Sequence, residues 1–227
     1  MKVKPLLILF SIVFLLMCYA TFMNSLQLIR FVSPLVVILL ASHLVLETKL
    51  KGRYHKRIMT GLICAWIGDL FAIFHPGQIP YSAAALCLGI VFYIRAFALD
   101  YKSNPELKIP YFLGIAIGLA LICSGFFFYL QPTLGAYQFP VLMYVVIMLF
   151  FSIMAINRYG RVNIYSFKLS LASVFLFMCS NGVLAFNHFV LPIPNAATLC
   201  VASYMAAQCL MVYAAISRKL VTTETEI

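Results

Sequence analysis

The chain has 227 residues, 64% of them hydrophobic and only 10% charged, with a mean hydropathy of +1.03. A soluble domain of this length is closer to half apolar, with about a quarter of its residues charged, so the composition excludes a water-soluble protein and describes an integral membrane one. The net charge of +10 would suit a nucleic-acid partner, but the basic residues are sorted by position along the apolar runs, and that sorting argues for a membrane and no nucleic acid.

A membrane span needs about 20 mostly apolar residues. In chain order, eight stretches qualify: 5–23, 31–46, 58–75, 79–99, 109–130, 138–157, 167–191 and 197–217. The first follows Lys2 and Lys4 and looks like a signal peptide. Its apolar run continues to Met23 with no A-x-A cleavage site, and Met17 before Cys18 does not suit a lipoprotein signal. The segment is therefore predicted to be a retained first span, with a cleaved signal as the competing reading. Pro and Gly mark the connections HPGQIP (75–80), SNPELKIP (103–110), LQPTLGAYQFP (130–140) and LPIPN (191–195). The tail VTTETEI is polar and is expected to fray. The expected fold is an all-α membrane protein of eight transmembrane helices in a single polytopic domain, residues 1–227, with no soluble domain.

An even number of spans puts both termini on one face. Fourteen basic residues fall on that face, from Lys2 and Lys4 through the cluster KLKGRYHKR (49–57) to Arg218 and Lys219. The opposite face has only Arg30, and Arg95 lies inside the fourth span. Positive charge accumulates on the cytoplasmic side of membrane proteins, so both termini are predicted to be cytoplasmic, in a bacterial inner membrane. The 49–57 cluster reads as a topology-fixing loop, with binding of anionic headgroups as the alternative. All seven cysteines sit in apolar runs, with neither CxxC nor Cys/His ligand spacing, so they read as small buried residues. Neither a metal nor a cofactor is expected.

Spans three and seven align on Asp69 and Asn181: GLICAWIGDLFAIFH against SVFLFMCSNGVLAFN, each with a small residue (Gly68, Ser180) before the polar one. Each would be the third span of a four-helix half, which points to two parallel halves.

Asp69 is the only acidic residue inside the spans as drawn. An ionisable group in the bilayer costs a few kcal/mol and usually faces the bundle interior. Asn181 in span seven and Gln208 in span eight fall at similar depth, so the three are expected to meet in one cavity. Tyr204 and Gln208 are four apart and share a helix face, Trp66 lies one turn before Asp69, and Tyr93 sits deep in span four. For Asn181, Gln208 and the tyrosines, simple interhelical hydrogen bonding is an equally good account. Arg95 reads as snorkelling to the cytoplasmic interface, and His188, His43 and His75 lie near span ends. Desolvation disfavours a charged carboxylate, and a carboxylic acid that stays protonated near neutral pH is a good general acid. A proton carrier or cation ligand in a transporter is the other chemistry open to it. There is no G-x-S-x-G, H-E-x-x-H, Walker or Rossmann pattern to suggest another.

GLICAWIGDLFAIF (61–74), FYIRAF (92–97), PVLMYVVIM (140–148), FLFMCSNGVLAFNHF (175–189) and SYMAAQCLMVY (203–213) together, in order and spacing, resemble the YhhN-type lysoplasmalogenases. That resemblance implies eight spans and hydrolysis of the vinyl ether bond of lysoplasmalogens, yielding a fatty aldehyde and a glycerophospho-ethanolamine or -choline. It implies Asp69 as the leading catalytic carboxylate, with Asn181 at the position of a second polar or acidic group. Tyr93, Tyr204 and Gln208 would line the pocket; Trp66 and Arg95 complete the expected substrate-binding set. The expected partners are a lysophospholipid substrate and membrane lipids. The chain departs from the family pattern at Ser33, where Lys is usual before Pro34, at Ile90, where His is usual, and at Asn181, where Asp occurs. A proton- or cation-coupled transporter and an inactive lipid-binding relative are the alternatives.

Overall fold

The computed structural model describes residues 4–75, 77, 79–107 and 109–221. Lys2, Lys108 and tail residues 222–227, on which expectations fell above, lie outside the described residues. The chain runs through α1 (Lys4–Phe22), α2 (Leu26–Thr48), α3 (Gly52–Phe74), α4 (Ile79–Ser103), α5 (Phe112–Leu134), a 3-10 turn (Gly135–Tyr137), α6 (Gln138–Ile156), α7 (Ile164–Phe189) and α8 (Ala196–Ile216). Among the described residues there is no β-strand; Val162 and Leu220 form an isolated bridge.

Six helical stretches are long and apolar enough to cross a membrane: Leu26–Thr48, Gly52–Phe74, Pro80–Ser103, Phe112–Ile156, Ile164–Phe189 and Ala196–Ile216. Leu6–Phe22 is a shorter apolar helix. The chain is a multi-pass membrane protein. In hydrocarbon each backbone N–H and C=O must find a partner within the protein, which a helix supplies along its own length. Phe112–Ile156 spans 45 residues, far more than the 20 or so one crossing needs. It bends after Pro132, where Gly135 takes φ +50°, and α5 and α6 pack against one another as a helical hairpin.

Several helices run further than the apolar runs that announced them. α3 starts at Gly52 rather than 58, because the amphipathic turn around Tyr54 is buried. α4 continues to Ser103 rather than 99, which brings Asp100 into the helix. Asp69 is therefore not the only acidic residue in these helices, as the apolar boundaries had implied.

The tightest helix pairs are α3 with α4 and α7 with α8. Small residues and hydroxyls make them so, as is usual where lipid removes the hydrophobic drive for helices to associate. A Cβ on Gly61 would fall 2.5 Å from Tyr93 Cε1 and 2.9 Å from the Gly89 carbonyl oxygen, so the two backbones meet where neither has a side chain. Ser82 Oγ donates to the Gly68 carbonyl (2.8 Å). Across the other pair, Ser166, Ser173 and Ser180 on α7 donate to the carbonyls of Ala214 (2.6 Å), Ala207 (2.7 Å) and Cys200 (2.8 Å).

One end of the bundle is closed by buried charge. Asp100 accepts from Arg158 Nε (2.7 Å) and Arg218 Nε (2.6 Å), and both Asp100 and Arg158 are fully buried. Arg158 also donates to Ser166 Oγ (2.9 Å) and lies 4.6 Å from the centroid of Phe97; Arg218 lies 4.1 Å from that of Tyr54. Arg161 donates to the carbonyls of Asn104 (2.9 Å), Leu107 (2.8 Å) and Asn157 (2.6 Å). The connections after α4, α6 and α8 are thus tied together at this basic end. Removing one member of a buried ion pair strands the other charge, at about 3–5 kcal/mol. Asp100→Ala is expected to lower the thermal unfolding midpoint in detergent far more than substitution of exposed Lys168, read by a fluorescence or aggregation melt.

Candidate functional site

Between the pairs α3–α4 and α7–α8 lies a cavity of about 390 Å³, walled also by α1, α2 and α6. Along α3 its lining is Ala65, Asp69, Ala72 and Ile73, the face a helix presents at four-residue steps. Ala65 on α3, Tyr93 on α4 and Gln208 on α8 are the lining residues nearest the basic end. Below them Ile58, Leu62, Phe97, Phe151 and Met211 are fully buried, with Phe151 ring-to-ring against Tyr93 (6.0 Å) and Phe97 (5.7 Å). At the far end, the lining residues Ala72, Leu184 and Ala197 are exposed. The cavity therefore reaches the surface at the end away from the basic cluster and stops at mid-bundle.

Its polar groups form one directed chain. Tyr93 Oη donates to Gln208 Oε1 (2.7 Å), Gln208 Nε2 donates to Tyr204 Oη (3.1 Å), and Tyr204 Oη donates to Asp69 Oδ2 (3.1 Å). The direction is forced from the carboxylate end. Whether Asp69 is ionised or carries its proton on Oδ1, its Oδ2 accepts, so Tyr204 donates there and accepts from the amide nitrogen of Gln208. Gln208 and Tyr93 are each 1% exposed, so both need the partners they have. Among the described residues nothing hydrogen-bonds Asp69 Oδ1. Asp69 is the only carboxylate in a lining that is otherwise apolar or neutral at ordinary pH, and it contains no Lys, Arg or His.

Five of the residues expected from the sequence line this cavity together: Asp69, Asn181, Tyr93, Tyr204 and Gln208. Asn181 is not joined to the chain. Its amide donates to the Phe177 carbonyl one turn back (2.7 Å). Asp69 and Gln208 do not touch directly; Tyr204 bridges them, because Asp69 sits five residues from the far end of α3 while Gln208 sits twelve residues into α8.

Trp66 and Arg95 are not part of the lining. Trp66, three residues from Asp69, is turned toward the helix side that packs on the apolar core, and its buried indole N–H has no partner among the described residues. Arg95, two residues past Tyr93, points to the opposite side of α4, where it is exposed over Phe92 (5.7 Å to the ring centroid). Tyr144 on α6 and Ser82 on α4 join the lining unforeseen. Tyr144 lay within PVLMYVVIM, a segment with a recognisable pattern, but nothing in one apolar span tells which face meets a cavity. Ser33, Ile90 and Asn181, the three positions expected to depart from the family pattern, all line the cavity.

Among the described residues, no three His, Cys, Asp or Glu side chains are grouped as metal ligands would be.

A helical multi-pass membrane protein with a one-ended internal cavity and a single carboxylate at the end of a hydrogen-bond chain defines the class. The YhhN family model matches residues 26–215, from the start of α2 almost to the end of α8, and the chain belongs to the YhhN family. No curated protein and no solved structure matches it.

Because Tyr93 and Gln208 are buried and Gln208 is bonded to both tyrosines, cutting the chain in the middle costs more than trimming its end. Gln208→Leu leaves two hydroxyls short of a partner and is expected to destabilise by about 1–3 kcal/mol, more than Tyr93→Phe. The Gln208→Leu/Tyr93→Phe double variant should lose less than the two single losses added together, which a double-mutant cycle of unfolding midpoints measures.

Proposed function

We propose that the protein is a membrane-embedded hydrolase that cleaves the vinyl ether bond of lysoplasmalogens, with Asp69 as general acid. The single observation that carries this is the geometry of Asp69: Oδ2 held by Tyr204 and Oδ1 left to an apolar, one-ended cavity. YhhN membership over most of the chain supports the same reading.

Vinyl ether cleavage begins with proton transfer to carbon. Protonated Asp69 donates from Oδ1 to the alkene carbon remote from oxygen, which leaves an oxocarbenium ion. The new carboxylate sits beside that cation, in a site where few other dipoles compete, and stabilises it. Tyr204 keeps its bond to Oδ2 through the transfer, so the carboxylate is not reoriented as it gains charge. A water molecule adds to the cation and gives up a proton to Asp69. The hemiacetal then collapses to a fatty aldehyde and the glycerophospho-alcohol, and the acid is regenerated. Asn181 and Gln208 supply polar positions for the water and the ether oxygen. The cavity's closure at Tyr93 and Gln208 leaves no continuous path between the two faces, which disfavours a channel-like conduit for a proton or cation.

The fuller architecture goes with this reading. α1 and both arms of the α5–α6 hairpin cross the bilayer, giving eight spans, with α1–α4 and α5–α8 as parallel halves; the tight pairs α3–α4 and α7–α8 occupy equivalent places in each. The basic end faces the cytoplasm of a bacterial inner membrane, with both termini there, and the cavity opens to the other side.

Purified protein is expected to release aldehyde from a lysoplasmalogen, measured with a coupled dehydrogenase. Asp69→Asn, which keeps shape and the hydrogen bond from Tyr204, should lower kcat by about 10²–10⁴-fold. Wild-type activity retained in the folded Asn variant would remove Asp69 as the acid.

A further inference from the structure

Arg30 is the one basic residue that the sequence places at the far end of the bundle. It is exposed, and its guanidinium lies 5.9 Å from the centroid of the Phe74 ring. That contact joins α2 to the end of α3 at the cavity's rim. Ile29 and Ile73, the immediate neighbours of the two partners, both line the cavity. On α2, Arg30, Ser33 and Val37 are spaced i, i+3, i+7 and share one face, and Ser33 and Val37 line the cavity below. Arg30 is not itself part of the lining; it stands on the flank of the cavity face, about one turn nearer the opening than Ser33.

Its charge has no protein counter-ion among the described residues. The ion pairs there run to Asp100, at the other end of the bundle. Among the described residues Asp69 is the only carboxylate toward this end, and its hydrogen-bond partner is Tyr204. A guanidinium held against an aromatic face keeps its N–H edge free for an anion, and its planar fork suits a phosphate.

We propose that Arg30 binds the headgroup phosphate of a single-chain glycerophospholipid whose ether bond lies at Asp69. This rests on the hydrolase reading and adds to it the group that selects a phospholipid over a neutral ether lipid. The spacing fits. From Asp69 to Phe74 is five residues of helix, roughly 7.5 Å along the axis. From the carbon to be protonated to the phosphorus of a lysoplasmalogen is about seven bonds, roughly 8–9 Å extended. Arg30 is the fifth residue of α2, at the depth where headgroups meet the hydrocarbon, so the substrate's phosphate stays at the interface while the bond to be cut lies deeper.

The test measures binding and does not depend on turnover. The Kd of purified protein in non-ionic detergent is compared for a non-cleavable 1-alkyl lysophospholipid and the matching 1-alkylglycerol, which lacks phosphate. Charge-assisted contacts of this kind correspond to about 10- to 100-fold in affinity. Wild type is expected to prefer the phospholipid by that factor, Arg30→Gln to bind the two ligands alike, and Arg30→Lys to keep part of the preference. Each variant is checked for a wild-type unfolding midpoint, which an exposed site predicts. Equal affinities in wild type, or full preference in Arg30→Gln, would overturn the proposal. Inorganic phosphate at millimolar concentration should not displace the lysophospholipid; displacement as effective as by the lipid itself would assign the site to free phosphate instead. A protein that shows the Arg30-dependent preference yet releases no aldehyde from lysoplasmalogen refutes the hydrolase and leaves the phosphate site standing.

Discussion

A carboxylate inside a membrane bundle has to be housed, and much of this structure follows from how Asp69 is housed. Hydrocarbon offers no hydrogen bonds, so the group must face inward, and whatever surrounds it must either supply donors or leave room for water or substrate. Here the bundle does both, one oxygen each. Tyr204 is fixed to Oδ2, and its orientation is inherited from Gln208, which is in turn held by Tyr93. Tyr93 can stand where it does only because Gly61 has no side chain. A contact between two glycines on α3 and α4 is in this way connected, through three hydrogen bonds, to the geometry of an acid about two turns further along α3.

The two ends of the bundle solve opposite problems. At the basic end, Asp100 is also buried, but it is saturated by Arg158 and Arg218, and the same arginines stack on Phe97 and Tyr54. Both of its carboxylate oxygens are committed to arginines, and the three connections that meet there are held together. Above it a plug of Phe97, Phe151, Leu62 and Met211 fills the bundle. At the other end the two tight helix pairs diverge, and the space between them is the cavity. Two aspartates in one small membrane protein therefore hold different positions: one paired and structural, the other short of partners and facing a void. The difference is made by the neighbours and not by the residue type.

Much of the architecture was legible in the sequence because lipid imposes a length and an apolarity that a linear pattern displays. The helices appeared where apolar runs lay, and Asp69, Asn181, Tyr93, Tyr204 and Gln208 were recognisable as polar groups in those runs. Helix ends were harder to place. α3 and α4 extend into polar sequence because Tyr54 and Asp100 are buried by packing with other helices, which composition does not report. For the same reason the sequence does not show that Trp66 and Arg95 stand off the cavity lining. Each is close in sequence to a true lining residue, but one or two residues along a helix turn a side chain toward a different neighbour, and an apolar span of this kind has little asymmetry to reveal which face is which.

The sequence by itself determined that this is a helical membrane protein with positive charge gathered at one end and a lone carboxylate in its third apolar run. Those properties are local: they depend on what a stretch of residues does in lipid or at its surface. Only the tertiary structure decided that Tyr204 bridges Asp69 and Gln208, that Asp100 is neutralised by two arginines from the segments that follow α6 and α8, and that Arg30 stands over Phe74 near the mouth of the cavity. Those are relations between residues up to 135 positions apart. They arise from which faces of which helices meet, and small residues, hydroxyls and buried charges settle that jointly rather than one span at a time.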